Sequence, residues 1–208
     1  QHGILQDADK SRKITRGTNM QELLDIVDEY GNPTGQTVDR EKAHAEGIMH
    51  RTSHVWILRK KAGKVEILLQ MRSKIKDSFP GCYDISSAGH IPAGDGYKES
   101  AIRELQEELS VDASEDDLIF CGDRMVIWDD FFAGKPFHDR QYSRIFALWT
   151  DREETDFVLQ KEEVDGVKWM EFEVCREAVR KNTIPHCIVL EELNMVYENA
   201  VKKAARDK

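Results

Sequence analysis

The feature that most constrains the fold of this chain is the stretch from Gly89 to Val111, which reads GHIPAGDGYKESAIRELQEELSV. Its first part is rich in glycine and proline and can continue neither a strand nor a helix. Its second part predicts a helix over 97–109, because apolar residues recur there at the spacing of one helical face. The apolar positions are Ala101, Ile102, Leu105 and Leu109. A tight loop therefore leads into an amphipathic helix.

Three glutamates flank the apolar stripe of this helix: Glu104, Glu107 and Glu108. Neighbouring anions on one helical face repel each other, and each pair costs the helix about 0.2–0.5 kcal/mol. A hard divalent cation bound by carboxylate oxygens would relieve this repulsion, and Mg²⁺ is the cation we expect, with Mn²⁺ as an alternative. The competing interpretation is a solvated acidic face that binds nothing.

The spacing around the three glutamates resembles the Nudix box, whose pattern is G, five residues, E, seven residues, then R-E-aliphatic-x-E-E-x-G-aliphatic. The chain matches this pattern in register at Gly89, Arg103, Glu104, Leu105, Glu107, Glu108 and Val111. Two positions differ, because Asp95 stands where the pattern has Glu and Ser110 where it has Gly. Asp95 keeps the charge on a shorter stem. Ser110 gives up the ease with which glycine adopts the left-handed conformation that ends many helices.

This resemblance implies an α/β fold, a Nudix-like layered sandwich in which a mixed β-sheet lies between helices. It also implies a metal-dependent hydrolase that cleaves a diphosphate linkage by attack of water on phosphorus. We expect the substrate to be a nucleoside diphosphate derivative. The residues that the resemblance assigns to the metal are Glu104, Glu107, Glu108 and the carbonyl of Ala88.

The remaining motif residues receive structural roles from the same resemblance. These residues are Gly89, Asp95 and Arg103. The guanidinium of Arg103 can pair with Glu99 one turn back or with a glutamate of the box, and either contact would hold the helix and its carboxylates in place.

Length and charge restrict the class of protein. With 208 residues the chain is long enough for one domain with a sizeable core and short for two. Its net charge of −9 argues against nucleic acid polymers and membranes as partners, so the expected partner is a small-molecule diphosphate. A homodimer remains open. The four cysteines lack CxxC spacing and predict free thiols, and no apolar run approaches the ~20 residues of a membrane span, so we expect a cytoplasmic protein.

The chain divides into a polar arm over 1–19 and a single domain over 20–208. The arm has no apolar period, and we interpret it as a disordered extension or a leader added to the natural chain. Strands are predicted over 23–27, 55–58, 65–69, 83–88, 118–128, 143–149 and 167–172. Helices are predicted over 40–47, 97–109 and 183–204, the last with Pro185 in its first turn.

Most of the chain over 20–200 also resembles isopentenyl-diphosphate isomerase and its Nudix relatives. In that enzyme three histidines and two glutamates hold one metal. The resemblance places these ligands at His44, His50, His90, Asp139 and Gln141. The catalytic cysteine of the isomerase corresponds to Ala88 here. Moving protons on and off an alkene requires an acid–base pair that Ala88 and Gln141 cannot supply, so we expect isomerase activity to be lost.

Three functions therefore stay open at this stage. The expected one is the diphosphate hydrolase. The isomerase is an alternative that Ala88 disfavours, and a non-catalytic nucleotide-sensing module is an alternative that the intact glutamate cluster disfavours.

Residues outside the box complete the candidate site. Glu162 and Glu163, in KEEVDGVKW just before a predicted strand, are candidates for the general base; a box glutamate and a solvated loop are the alternatives. Arg59 and Arg72 could clamp phosphates through charge-assisted hydrogen bonds, although a salt bridge is the favoured interpretation of each. His90 is a candidate contact to metal or phosphate, or else only to its own loop.

Overall fold

The structure of the protein is a computed structural model that describes residues 22–76, 78–132 and 134–206. The strands are β1 (Leu23–Val27), β2 (Pro33–Asp39), β3 (His50–Lys61), β4 (Lys64–Arg72), β5 (Tyr83–Asp84), β6 (Ser87–His90), β7 (Ile119–Phe132), β8 (Lys135–Trp149) and β9 (Val164–Glu171). The α-helices are α1 (Arg40–Glu46), α2 (Tyr97–Leu109), α3 (Phe172–Lys181), α4 (Leu190–Val196) and α5 (Lys202–Arg206), and a π-helical turn over Tyr197–Val201 joins the last two. None of the helices in the described part of the chain is long and apolar enough to cross a membrane.

Seven strands form one mixed sheet. Its main order is β5-β4-β3-β8-β7, with β6 paired to β3 and β9 paired to β4. Strands β3 and β8 run parallel, whereas the other pairs are antiparallel. β1 and β2 form a separate two-stranded hairpin. The α/β fold with a mixed sheet between helices is thus confirmed.

The sheet buries a different core on each face. On the face that we call the α3/α4 face, Trp56 and Leu58 of β3 pack with apolar side chains of α3 and α4. On the opposite face, the α2 face, Val55 and Ile57 of β3 pack with Leu105 of α2 and its apolar neighbours. Successive side chains of a strand point to opposite faces, so each strand feeds both cores. The β6 strand, next to the box, can therefore present side chains to two different environments.

Several predicted strands are shorter than the observed ones, as 55–58 is within β3 and 143–149 within β8, and two further elements differ in kind over part of their length. The predicted strand over 83–88 is interrupted at Ile85 and Ser86, where the Ser86 hydroxyl accepts a bond from Ile57 N (2.8 Å) and donates one to Leu68 O (2.6 Å). The final helix begins at Leu190 and not at residue 183. Its predicted first turn is instead extended against β5, where Tyr83 N donates to the carbonyl of Pro185 (2.9 Å).

Helix α3 was missing from the prediction. Its apolar residues Phe172, Cys175 and Val179 are all buried and lie on one side of the helix. The sequence predicts a strand over 167–172 and no element over 173–182, whereas β9 runs directly into α3 without a glycine or proline between them. The predicted arm over 1–19 and the start of the domain at residue 20 lie outside the described residues, so the domain boundary stays a prediction.

Helix α2 ends at a serine that adopts the left-handed conformation, with φ 52° and ψ 44° at Ser110. That conformation costs a residue with a Cβ about 1–2 kcal/mol, whereas glycine adopts it freely. Glycine also loses more entropy on folding, which offsets part of the gain. We expect Ser110→Gly to raise the free energy of unfolding by about 0.5–1 kcal/mol, as measured by urea denaturation.

The control for this substitution is Ser110→Ala, which removes the hydroxyl but keeps the Cβ. The alanine variant should gain nothing. Equal stability of the glycine and alanine variants would contradict the explanation, because it would show that backbone strain at Ser110 does not lower the stability of the protein.

Candidate functional site

The box loop is tied to the rest of the fold by one carboxylate and one guanidinium. Asp25 of β1 accepts bonds from Gly94 N (2.9 Å) and from Arg51 Nη2 (2.7 Å). The same nitrogen of Arg51 donates to the backbone carbonyl of Asp95 (3.0 Å). These contacts fix the loop that precedes α2, and they give Asp95 a role through its backbone.

Helix α2 lies close enough to β6 that the strand needs a glycine at the contact. A Cβ placed on Gly89 would collide with the carboxylate of Glu104. Gly89 therefore makes room for a side chain of the box, which supports its structural role. The carboxylate of Glu104 fills this cradle with only 15% of its side chain exposed.

Arg103 organises the outer side of the box. Its Nη2 lies 2.8 Å from Glu104 Oε1, and its Nη1 lies 3.1 Å from Glu107 Oε2. The guanidinium also donates to the backbone carbonyl of His90 (3.2 Å). Arg103 thus pairs with the box glutamates and not with Glu99, which instead caps the start of the helix at Gly96 N (3.5 Å).

Glu108 is the most buried carboxylate of the box, with 7% exposure. Its Oε2 has no hydrogen-bond partner among the described residues. Burial raises the pKa of Glu108 to about 8, and the nearby carboxylates of Glu104 and Glu163 push it in the same direction. Burial likewise raises the pKa of Glu104 to about 7, with Glu107 adding to the shift. Two adjacent carboxyls that resist ionisation without a cation form a donor set that fits a divalent ion with oxygen ligands.

The structure gives the neighbouring residues Glu162 and Glu163 different surroundings. Glu162 is exposed, whereas Glu163 forms an ion pair with Lys76 and lies close enough to Glu108 to raise its pKa. The backbone holds this arrangement, because Gln160 N donates to the carbonyl of Glu108 (3.0 Å). Lys76 had no signal in the sequence, since 87 residues separate it from Glu163.

The two arginines considered as phosphate clamps are engaged in structural contacts. Arg59 is 6% exposed and binds Glu66 (2.6 Å) and Glu153 (2.8 Å). It lies six residues along β3 from Ser53, the partner of Gly89, which is roughly 20 Å from the box. The guanidinium of Arg72 binds Asp84 (2.9 Å) and the Ser78 carbonyl (2.9 and 3.0 Å). The phosphate-clamp hypothesis is therefore corrected for Arg59 in favour of the salt bridge, whereas for Arg72 it stays a prediction.

A second cluster lies beside the box on the α3/α4 face, and it consists of His44, His50 and His90. One ring nitrogen of each lies within 4.8 Å of the others, and His44 Nε2 is 3.1 Å from His90 Nε2. Helix α1 positions His44, with Asp39 capping its start and Gly47 ending it at φ 67°. His90 thus belongs to this cluster, while its carbonyl contacts Arg103 of the box.

The protonation of the histidine cluster suits a metal ligand set. His50 directs Nδ1 to the carbonyl of Ile48 (2.8 Å), and its Nε2 has no partner in the described part of the chain. Burial lowers the pKa of all three rings, that of His44 to about 4. Neutral imidazoles with buried, unpartnered nitrogens fit a first-row divalent cation. The spacing of the three histidines along the chain does not indicate a cluster, but the resemblance to isopentenyl-diphosphate isomerase predicted all three as ligands of one metal, and the structure brings them together where α1, β3 and β6 meet. Asp139, a fourth position of that predicted set, lies 3.8 Å from His44 Nδ1.

Comparison with known proteins places these sites in a family context. The NUDIX domain family matches residues 49–187. The chain is 35% identical over 153 residues to an uncharacterised Nudix hydrolase of Clostridium acetobutylicum, covering 74% of this chain and 71% of that protein. It is also 39% identical over 165 residues to Nudix hydrolase 3 of Arabidopsis thaliana, covering 77% of this chain but only 21% of that protein.

Solved structures with low sequence identity share the fold. DR0079 from Deinococcus radiodurans aligns with a TM-score of 0.62 at 19% identity, over 85% of this chain and 99% of that one. The NUDIX domain of Shewanella oneidensis NrtR, complexed with ADP ribose, aligns with 0.51 at 15% identity, over 74% and 87% of the two chains. A C. elegans Ap4A hydrolase aligns with 0.50 at 22% identity, over 74% and 98%. Taken with the box glutamates on α2 and the family match over 49–187, these relationships show that this chain belongs to the Nudix hydrolase family.

Proposed function

We propose that this protein hydrolyses a diphosphate linkage in a nucleoside diphosphate derivative, using a divalent cation held by Glu104, Glu107 and Glu108 and by the Ala88 carbonyl. The observation that carries the proposal is the buried Glu108 oxygen without a partner, beside Glu104 in its Gly89 cradle. Mg²⁺ is the expected ion, and Mn²⁺ offers the same oxygen-ligand chemistry. A bound cation would neutralise the diphosphate oxygens, whose charge otherwise repels an attacking water.

The protein's own residues would orient the reaction around that charge. Arg103 holds Glu104 and Glu107 in place through its two terminal nitrogens. Glu163 lies beside Glu108 on the loop before β9, which is a suitable position for a base that removes a proton from water. The ammonium group of Lys76 forms an ion pair with the Glu163 carboxylate. Glu162 is exposed and makes no comparable contact to the box among the residues that the structure describes.

The substrate class is supported by an aromatic group beside the histidine cluster. Phe137 stacks on His44 with ring centroids 4.4 Å apart, and Trp128, Phe132 and Phe79 continue the group. Aromatic faces next to a phosphate-binding centre suit a nucleobase, because every base offers a flat π-surface. Two proteins of the same fold are named for adenine nucleotides, one as an Ap4A hydrolase and one as a complex with ADP ribose.

The histidine cluster adds a second cation site to the proposal. Its three imidazoles would hold Zn²⁺ or another borderline ion, while the box holds the harder one. Arg103 joins the two sites, since it contacts both Glu104 and the His90 carbonyl.

The general base can be tested with a matched pair of substitutions. We expect Glu163→Gln to lower kcat at neutral pH by about 10²- to 10⁴-fold with nearly unchanged Mg²⁺ affinity, because a base contributes on that scale and a metal ligand would also weaken cation binding. Glu162→Gln is the control, with the same chemistry one residue away at an exposed position. If both variants retain wild-type kcat from pH 6 to 9, a box glutamate, Glu107 first, becomes the base.

The activity itself is tested by product release from a panel of nucleoside diphosphate derivatives with Mg²⁺. Hydrolysis that disappears on chelation and in Glu104→Gln supports the proposal. Nucleotide binding without any hydrolysis across the panel would instead establish the sensing module.

Isomerase activity is expected to be absent. Ala88 carries no acid or base, and it stands where the isomerase has its thiol. Isopentenyl diphosphate incubated with the protein and Mg²⁺ should yield no dimethylallyl isomer above a protein-free control. Detectable isomer would overturn this expectation, whereas binding alone would not, because any diphosphate can occupy a cation site.

A further inference from the structure

The outer edge of strand β7 is covered near its start and open over the rest of its length. Among the described residues β7 pairs only with β8, at one end of the sheet order. Near its start the edge is capped, because the side-chain amide of Asn199 donates to the carbonyl of Cys121 (2.8 Å). A β-bulge lies at the same place, between Phe120 and Gly122. From Asp123 onward no described segment other than β8 pairs with the backbone of β7.

The open stretch directs every second backbone N–H away from β8. The N–H of Phe131 donates to the side chain of Asp130 (2.7 Å) and therefore does not belong to the ladder with β8. In an antiparallel pair, the backbone groups of alternate residues point to the same side. Because the register with β8 is constant here, the N–H groups of Met125, Ile127 and Asp129 share the outward direction of Phe131. Such a row of unpaired groups is a template for another strand.

An apolar stripe runs along the same edge, on the side of the sheet that carries α2. Its first member, Phe120, lies opposite Phe146 of the α2-face core, and the later members follow at alternate positions of β7. The stripe consists of Phe120, Met125, Ile127 and Phe131, which expose between 40% and 71% of their surface. Since a large side chain has roughly 150–250 Å² to bury, the stripe exposes on the order of 400 Å². Apolar patches of this size are often functional.

The acidic side chains on this side of β7 are paired within the chain. Asp129 accepts hydrogen bonds from Arg140 Nη2 and His138 Nδ1, each at 2.7 Å. Asp123 accepts one from Arg144 Nε (2.8 Å). The stretch 123–132 also contains neither lysine nor proline, two residues that commonly keep an exposed edge from pairing. The charge of this edge is therefore largely neutralised where another strand would approach.

The outer part of the β7–β8 hairpin projects past the rest of the sheet. The pairing of β3 with β8 begins at His50 and Gln141, so the segment 135–140 of β8 pairs with β7 alone. A two-stranded hairpin is only marginally stable by itself. The opposite side of this hairpin carries Trp128 and Phe137 of the aromatic group in the proposed function. Additional strands would hold that group in place.

A second copy of the chain offers what this edge requires. A two-fold axis perpendicular to the sheet sets the two β7 strands antiparallel and keeps both apolar stripes on one side, so that the same patch serves both copies. Registers centred on Ile127 or Trp128 avoid placing Asp123 or Asp129 opposite an acid of the other copy. The two stripes and the backbone edges together can bury about 1,000 Å², which is the size expected of a specific interface.

We propose that the protein forms a two-fold homodimer in which the β7 strands of two copies pair antiparallel over 123–131 and join the two sheets into one. The pairing satisfies the outward backbone groups and covers the apolar stripe in the same contact. It requires neither a cation nor a substrate, so it is independent of the proposed function.

Sedimentation equilibrium of the full chain between about 5 and 200 µM tests the assembly. We expect a mass that approaches twice the 24.0 kDa of one chain. Ile127→Lys places a charge in the middle of the stripe and should raise the dissociation constant by at least about 50-fold. Val158→Lys is the control, because Val158 is exposed to a similar extent (68% against 63%) and lies outside the strands. Both variants should keep the far-UV circular dichroism of the wild type.

Three results of this experiment overturn the proposal. The first is a monomer throughout the concentration range. The second is a dimer that persists in folded Ile127→Lys, and the third is a dimer that both lysine variants dissociate equally.

Hydrogen exchange of single backbone amides locates the interface. The outward N–H groups of Met125 and Ile127 should exchange slowly at high concentration and faster on dilution, and fast throughout in Ile127→Lys. The N–H of Val126, directed to β8, should stay protected in all samples. A dimer whose outward amides exchange fast at every concentration has its interface elsewhere, which overturns the proposal. Protection of these amides in a monomer also overturns it, because another part of the chain then covers the edge.

Discussion

Glu108→Gln is expected to lower kcat by about 10²-fold or more in the presence of Mg²⁺, the scale of losing a principal electrostatic group in an active site. The substitution keeps the volume of the side chain and removes one anionic ligand. Glu108 is the box glutamate that is buried against the sheet, and one of its oxygens has no partner in the described part of the structure. We therefore expect a cation to be the partner of this oxygen.

The loss of activity can be separated from a loss of folding. Because Glu108 resists ionisation in the cation-free fold, a neutral amide should be tolerated, and Glu108→Gln should be at least as stable as the wild type at pH 8. Glu107→Gln is the comparison within the box, since that side chain is 54% exposed and bound to Arg103. We expect a smaller effect there. Near-normal turnover of Glu108→Gln would show that the metal site lies elsewhere.

The cation-free protein is expected to lose stability as the pH rises from about 4.5 to about 8. Glu108 has an ordinary pKa of 4.5, which the fold raises to about 8. Between these values the unfolded chain releases a proton that the folded chain keeps, so the folded state is favoured below this window and the advantage disappears through it. At about 1.4 kcal/mol per pKa unit the loss from Glu108 alone is as much as roughly 4 kcal/mol. Glu104, with its pKa raised to about 7, acts in the same direction.

The measurement is urea denaturation with EDTA at pH 5, 6.5 and 8, repeated with Mg²⁺. In EDTA the free energy of unfolding of the wild type should fall steeply between pH 5 and pH 8. In Glu108→Gln most of this fall should disappear, because the amide cannot ionise. Mg²⁺ should restore stability at pH 8, where both carboxylates ionise to bind it. If the free energy of unfolding falls as steeply with pH in Glu108→Gln as in the wild type, the pH dependence comes from other groups.

Local patterns determined the parts of this protein that depend on near neighbours. The bounds of α2 follow from the apolar spacing and the Gly/Pro loop before it, and the prediction of 97–109 is confirmed. β1 was also found as predicted over 23–27. The order Gly89, Arg103, Glu104, Glu107, Glu108 is sufficient to identify the family, because cation chemistry requires those types at those intervals. For α2 and the box, the deciding interactions are within one loop and one helix.

Tertiary structure decided everything that depends on which chain segments meet. Glu162 and Glu163 are equivalent in sequence, and only the approach of the loop to α2 and Lys76 distinguishes them. Arg59 binds Glu66 across the β3–β4 hairpin, and Glu153, which is 94 residues away along the chain, supplies its second acidic partner. The extended segment before α4 exists because β5 takes its backbone hydrogen bonds.

The histidine cluster shows the same division most clearly. Its members come from α1, β3 and β6, so only the resemblance to isopentenyl-diphosphate isomerase, and no spacing along the chain, predicts that they lie together. The physical reason is that burial and electrostatic interactions act over a few ångströms of space, while a sequence pattern records only neighbours along the chain. Residues that are 46 positions apart, such as His44 and His90, become a pair of facing ring nitrogens only when the sheet has formed.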